Sequence, residues 1–156
     1  MPFKILIMGL PGSGKTHLAL QLAYLLDATH FNADVVRHTI SKDLGFSLAD
    51  RIEQARRMGA LCDVANATGK HAIADFVCPT EETRAAFGPC FTIWLDTIKV
   101  SRYEDTNRLF VPPNEVDYLI TSWKPHEEEC IRLVLNIEKS IAAVKLASPS
   151  NYNFSQ

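Results

Sequence analysis

Gly9-Leu10-Pro11-Gly12-Ser13-Gly14-Lys15-Thr16 fills every fixed position of G-x-x-x-x-G-K-[ST] and lies directly behind the apolar run Phe3-Lys4-Ile5-Leu6-Ile7-Met8. Gly9, Gly12 and Gly14 let the backbone curl so that successive N–H groups around Ser13 point inward at phosphate oxygens. Lys15 reaches the outer phosphates, and the Thr16 hydroxyl is placed to ligate Mg²⁺. The residues that follow, 17–26, carry Leu18, Leu22, Leu25 and Leu26 on one helical face, which completes the strand–loop–helix order such a loop needs. A glycine-rich turn that binds nothing would leave Lys15 and Thr16 no reason to follow Gly14. The stretch therefore predicts a nucleoside-triphosphate site. MgATP is the expected donor, although no residue distinguishes adenine from guanine.

The chain has 156 residues, which suits one domain with a proper core; residues 1–147 are expected to form it, with 148–156 a frayed polar tail. Net charge is −2, from 16 basic and 18 acidic residues, and neither sign forms a long block. That argues against a nucleic-acid stripe or an anionic membrane surface and favours a small-molecule partner. The apolar runs are too short to span a bilayer and the N-terminus enters the first strand without a signal pattern, so a cytoplasmic location is expected. Cys62, Cys78, Cys90 and Cys130 form no C-x-x-C pair and read as reduced, mostly core thiols.

Further along, residues 29–34 have the length of a second strand ending in polar residues, with Asp34 at its end, and 35–40 read as a short helix. Ser47 is a plausible N-cap with Asp50 three residues on, opening a helix that runs to about residue 67 and is stopped by Gly69. Its apolar positions are Leu48, Ile52, Ala55, Met58, Leu61, Cys62 and Ala65. Strands are expected over 71–77, 90–95 and 116–120, and a short helix over 80–87 started by Pro79 or Thr80. A last helix over 127–146 has Ile131, Leu135, Ile141 and Val144 among its apolar positions. Residues 97–113, charged and closed by Pro112-Pro113, are too irregular for a long helix and are expected to act as a mobile lid. Strands alternating with helices predict a three-layer α/β fold of the phosphate-loop NTPase class, with a five-stranded, mainly parallel sheet in the nucleoside-monophosphate-kinase style.

What receives the phosphoryl group is decided between Asp34 and Arg57. Asp34, Arg37, Phe46 and Arg51 supply a carboxylate, two separated guanidinium groups and a ring where a second substrate would meet the donor. Guanidinium forks match phosphate or sulfate oxygens and a phenylalanine face suits a base, so the acceptor is expected to be anionic with a flat ring. Taken singly, Asp34 could merely cap a helix, the arginines could be solvated and Phe46 could be core.

Over residues 5–95 the sequence resembles the adenylylsulfate kinases, which phosphorylate the ribose 3′-hydroxyl of adenosine 5′-phosphosulfate (APS). The resemblance is densest at Asp34-Val35-Val36-Arg37-His38, against the family's D-N-[VI]-R-H, and at Asp43-Leu44-Gly45-Phe46-Ser47-Leu48-Ala49-Asp50-Arg51, against D-L-G-F-S-x-x-D-R. It implies that Asp34 is catalytic and approaches the metal through water, and that Arg37 and Arg51 bind the phosphosulfate. Phe46 would stack on the APS adenine, with Phe110 a second ring. Phe76-Val77-Cys78-Pro79 matches F-I-S-P, which places Val77 and Cys78 against APS. Gln54 stands where the family has the asparagine of E-N-I-R-R, and Arg102 and Arg108 are the lid cations available to clamp ATP. A homodimer is also implied. Further departures accompany the match. Asn32 replaces the first aspartate of D-G-D, Cys78 replaces a serine that some members phosphorylate, and the long lysine-rich lid is missing. Asp75 ends an apolar strand as a metal-assisting carboxylate would, although the family has no acid there; His17, His30 and His71 receive no role. A kinase for another nucleotide or small-molecule hydroxyl, and a non-catalytic nucleotide-binding switch, are the competing expectations.

Overall fold

The computed structural model describes residues 1–122 and 126–147, with the side chains of residues 126 and 127 left aside. In chain order the elements are β1 (Lys4–Met8), α1 (Lys15–Leu26), β2 (Thr29–Asn32), α2 (Ala33–Thr39), α3 (Leu48–Ala67), β3 (Ala72–Asp75), α4 (Glu81–Phe87), β4 (Phe91–Leu95), α5 (Glu104–Leu109), β5 (Tyr118–Ile120) and α6 (His126–Ala147). The strands form one sheet in the order β2-β3-β1-β4-β5, and every pairing among the described residues is parallel. The α/β architecture expected from the sequence is therefore present. Among the described residues no helix is long and apolar enough to cross a membrane. The tail expected at 148–156 lies outside the described residues.

Both faces of the sheet are covered, and the alternation of β1 shows how. Ile5 and Ile7 enter a core with Leu18, Ala19 and Leu22 of α1 and Cys130, Leu133 and Ile137 of α6. Leu6 and Met8 enter the opposite core with Ala55, Met58 and Cys62 of α3 and Phe87 at the end of α4. Small residues let the second layer come close. Ala72 and Ala74 of β3 face α3, and Gly59 sits so tightly on α4 that a Cβ there would lie 2.3 Å from the Phe87 carbonyl oxygen.

Helix starts follow local chemistry. Ser47 accepts from the Asp50 N–H and caps α3, as expected; the Asp50 carboxylate turns instead to the Gly45 N–H. Thr80 and Thr83 form a reciprocal capping box on α4. Some expectations fail. β2 stops at Asn32, and Asp34 lies in the first turn of α2, because the Asn32 side chain accepts from the N–H groups of Asp34 and Val35 and so begins the helix two residues early. Leu25 is exposed, and Leu18 and Leu22 alone are the fully buried leucines of α1. Among the described side chains of α6 the buried ones are Cys130, Leu133 and Ile137, with Ile141 packed on the core, whereas Ile131, Leu135 and Val144 face outward. The segment 97–113, expected to act as a lid, contains the short helix α5; its Val111 N–H donates to the Pro79 carbonyl, and Ser101 bonds Asn107 within the segment. All four cysteines are free thiols.

The close approach of α3 to α4 yields a stability test. Gly59→Ala gains helix propensity of about 1 kcal/mol, but overpacking against an immovable carbonyl costs about 1–3 kcal/mol. Denaturant unfolding should therefore show a net loss of stability, and a stabilised variant would contradict this packing.

Candidate active site

The loop between β1 and α1 takes its shape from positive φ angles at Gly9 (152°), Gly12 (85°) and Gly14 (100°). At Gly9 a Cβ would also lie 2.6 Å from the Leu95 carbonyl oxygen, so the loop is pressed onto the end of β4. Thr97 Oγ1 donates to the Ser13 carbonyl at 2.9 Å and fixes the same junction. Gly14 precedes α1 and makes no side-chain cap. The first N–H groups of this helix thus have no side chain laid over them, the arrangement that receives an anion. Ser13 Oγ is buried with no hydrogen-bond partner among the described residues. Lys15 is buried in the same cradle, its Nζ donating to the Leu10 carbonyl at 3.0 Å. Burial pushes its pKa down to about 8, against the opposing pull of Asp75 and, more weakly, Asp34.

Beside the loop lies a knot of polar side chains from three neighbouring elements. Thr16 Oγ1 donates to Asp75 Oδ1 at 3.0 Å. Asn32 Nδ2 donates to both Asp75 oxygens at 3.2 and 3.3 Å, and the His30 ring bonds Asp75 Oδ2 through Nε2. Register explains the meeting. Asn32 lies directly opposite Asp75 across the β2–β3 ladder, and His30, two residues before it, shares its face. The Thr16 hydroxyl and the carboxylates of Asp34 and Asp75 are hard oxygen donors of the kind Mg²⁺ takes alongside nucleotide phosphates. Among the described residues no group of three His, Cys, Asp or Glu side chains would hold a metal unaided.

The cavity in front of these groups has a volume of about 760 Å³ and runs from Gly12, Gly14, Lys15 and Thr16 to Asp34, Arg37, Phe46, Arg51 and Gln54. Val77, Cys78 and Arg102 also line it. Gly9 and Ser13 shape the loop from behind, while Arg108 pairs with Glu104 on the surface and Phe110 packs against Trp94, neither lining the cavity. Phe46 is 64% exposed, so it is not core. Two guanidinium groups approach its ring, Arg37 at 4.3 Å and Arg51 at 5.6 Å from the centroid. Arg37 donates to the Gly45 carbonyl at 2.8 Å and Arg51 Nε to the Phe46 carbonyl at 2.9 Å, so the arginines also brace the turn that presents the ring. Arg51 is buried rather than solvated, and its Nη2 reaches Asp105 at 3.0 Å and Thr106 at 3.3 Å in α5. Gln54 Oε1 is a buried acceptor with no partner among the described residues. Cys78 has φ of 48° at the turn after β3, and burial pushes its thiol up to about 12, which removes it as a nucleophile.

Two participants escape a reading of the sequence. His30 joins the polar knot, and its one available signal is the two-residue spacing from Asn32. Asp105 tethers Arg51 across 54 positions of chain, for which no local pattern exists.

The family model for adenylylsulphate kinase matches residues 1–100. The chain is 39% identical over 88 residues to an adenylyl-sulfate kinase of Shewanella sp. (strain ANA-3), a match covering 53% of this chain and 43% of that protein. To the adenylyl-sulfate kinase of Chloroflexus aurantiacus it is 44% identical over 85 residues, covering 49% and 44%. The chain spans less than half the length of these relatives. The fold is similar to that of the Mycobacterium tuberculosis APS kinase CysC in complex with AMPPNP and APS, with a TM-score of 0.79 at 22% identity over 88% of this chain and 99% of that one.

The depressed Lys15 pKa gives the cradle a pH signature. Its charge is held below about pH 8 and lost above it. Mg²⁺-free ADP should therefore bind roughly tenfold more weakly at about pH 9 than at about pH 7.5. Calorimetry on the protein and on Lys15→Met checks this: the variant should bind weakly with no slope. An affinity in the unaltered protein that ignores pH would contradict the role given to this ammonium.

Proposed function

The chain belongs to the adenylylsulphate kinase family, and from that premise we propose that it transfers the γ-phosphoryl group of ATP to the 3′-hydroxyl of APS, giving 3′-phosphoadenosine 5′-phosphosulfate and ADP. One observation carries the proposal: the phosphate loop and the group formed by Asp34, Arg37, Phe46 and Arg51 share a single cavity, so a donor and an anionic, ring-bearing acceptor can meet in it.

Phosphoryl transfer asks a protein mainly for alignment and for neutralisation of charge on the moving group. Lys15 and the N–H groups of the loop hold the donor phosphates. Thr16 and the neighbouring carboxylates would hold Mg²⁺, which would supply charge neutralisation for the transferring phosphoryl group. On the acceptor side Arg37 and Arg51 hold the phosphosulfate end and Phe46 offers its exposed face to the adenine. Asp34 accepts a hydrogen bond from the 3′-hydroxyl and takes its proton as that oxygen bonds to the γ-phosphorus; the bond from that phosphorus to the bridging oxygen breaks, and ADP leaves with the electron pair. Arg102, which lines the cavity, is assigned to the donor phosphates. Arg51 must exchange its Asp105 contact for the ligand, which couples acceptor binding to the position of α5.

A kinase for a different hydroxyl acceptor is the second reading, favoured by one observation. The family match ends at residue 100, before the segment that would close on the acceptor.

These roles predict different kinetic failures. Asp34→Asn should lower kcat about a hundredfold or more with little change in KM. Phe46→Ala and Arg37→Ala should raise KM for APS about tenfold and leave KM for ATP nearly unchanged. Calorimetric titration of APS into ADP-saturated protein should show binding. If APS neither binds nor stimulates ADP release, while a nucleoside, shikimate or gluconate does, the second reading replaces the first.

A further inference from the structure

We propose that Asp75, rather than Asp34, is the carboxylate that receives the divalent cation of the bound nucleotide, and that His30 and Asn32 hold it in place for that purpose. The inference rests on the phosphate loop being a nucleotide site and does not depend on which acceptor is used.

The strand alternation sets the position. Ala72 and Ala74 point to the α3 core, so Ile73 and Asp75 point to the α1 side, and Asp75 arrives at Thr16 in the first turn of α1. A carboxylate only 2% exposed is costly to bury unless its oxygens are matched. Here the matching comes from hydrogen bonds of Thr16, Asn32 and His30, and among the described residues no lysine or arginine pairs with it. It also lines the cavity beside Lys15 and Thr16, the position expected of a group that receives a cation. Of the two acids, Asp75 also exerts the larger pull on the Lys15 ammonium.

Asn32 fits a supporting role. Its Oδ1 is committed to the N–H groups of Asp34 and Val35, and its Nδ2 is shared among Thr16 and the two Asp75 oxygens. An amide supplies both donor and acceptor there, which a carboxylate could not. Asp34 differs in every respect. It sits one residue into α2, is partly exposed, and its carboxylate accepts no hydrogen bond from the described residues. That leaves it free for the acceptor hydroxyl. The two acids thereby divide the work, one toward the cation and one toward the attacking oxygen. Because Asn32 and His30 reach Asp75 from the strand paired with its own, the strand pairing itself orients the carboxylate.

The test measures binding of the non-hydrolysable ATP analogue AMPPNP with and without Mg²⁺, needing neither acceptor nor turnover, so its failure is distinct from failure of the APS assignment. In the unaltered protein Mg²⁺ should strengthen AMPPNP binding about tenfold or more. In Asp75→Asn the gain should fall below about twofold while Mg²⁺-free binding is no weaker, and Asp34→Asn should keep the gain. Nuclear magnetic resonance on the unaltered chain keeps the question open to refutation should Asp75→Asn fail to fold. Adding Mg²⁺ to AMPPNP-saturated protein should shift the His30 ring signals, since its Nε2 shares the Asp75 carboxylate. Those of His38, whose ring contacts the Asp34 carbonyl, should stay in place. AMPPNP binding indifferent to Mg²⁺, an Asp75→Asn variant with the full gain, an Asp34→Asn variant without it, or a shift at His38 alone would each overturn the assignment.

Discussion

The constraint on which the molecule depends is the parallel pairing of β1 with β3 on one side and β4 on the other. A strand paired on both edges and buried on both faces has no freedom of register. A one-residue slip would exchange Ile5 and Ile7 for Leu6 and Met8 in two differently shaped cores. With β1 fixed, the C-terminal ends of β1, β2 and β3 fall at one edge of the sheet, where the order β2-β3-β1 brings Asn32, Asp75 and the glycine loop together. Open parallel sheets place their ligand crevices at that edge.

The site is built from charges that the fold has partly withdrawn from water. Lys15 is desolvated enough to lower its pKa, Arg51 is buried against a loop carbonyl and α5, and Asp75 is buried at the cavity wall with hydrogen bonds to Thr16, Asn32 and His30. Electrostatic interactions in such surroundings are stronger than at an exposed surface. Preorganised groups of this kind need little rearrangement when a phosphoryl group moves. Two guanidinium groups approach the ring of Phe46 and also brace its turn, so the turn that presents this ring is already in position.

Much of this was legible in the residues because it is local. The loop from Gly9 to Thr16, the Ser47 cap and the Thr80 start of α4 each depend on side chains within a few positions of the backbone they satisfy. What was not legible is what depends on long-range pairing. His30 and Asp75 are 45 positions apart and meet only because β2 and β3 are neighbours, which no short pattern announces. Asn32 was legible as a departure from the family pattern but not as the cap that moves Asp34 from strand to helix. Apolar periodicity in α6 marked Ile131 and Leu135 without revealing that the opposite stripe, Cys130 to Ile137, is the one that packs.

The most direct measurement of the central claim is the identity of the product. Protein supplied with APS and ATP labelled at the γ-phosphoryl group should yield ADP and a labelled nucleotide in equal amounts. Mass spectrometry and phosphorus resonance should place the label on the 3′-oxygen of 3′-phosphoadenosine 5′-phosphosulfate. Label recovered only as inorganic phosphate, or APS returned unmodified while ATP is consumed with another acceptor, would contradict the account.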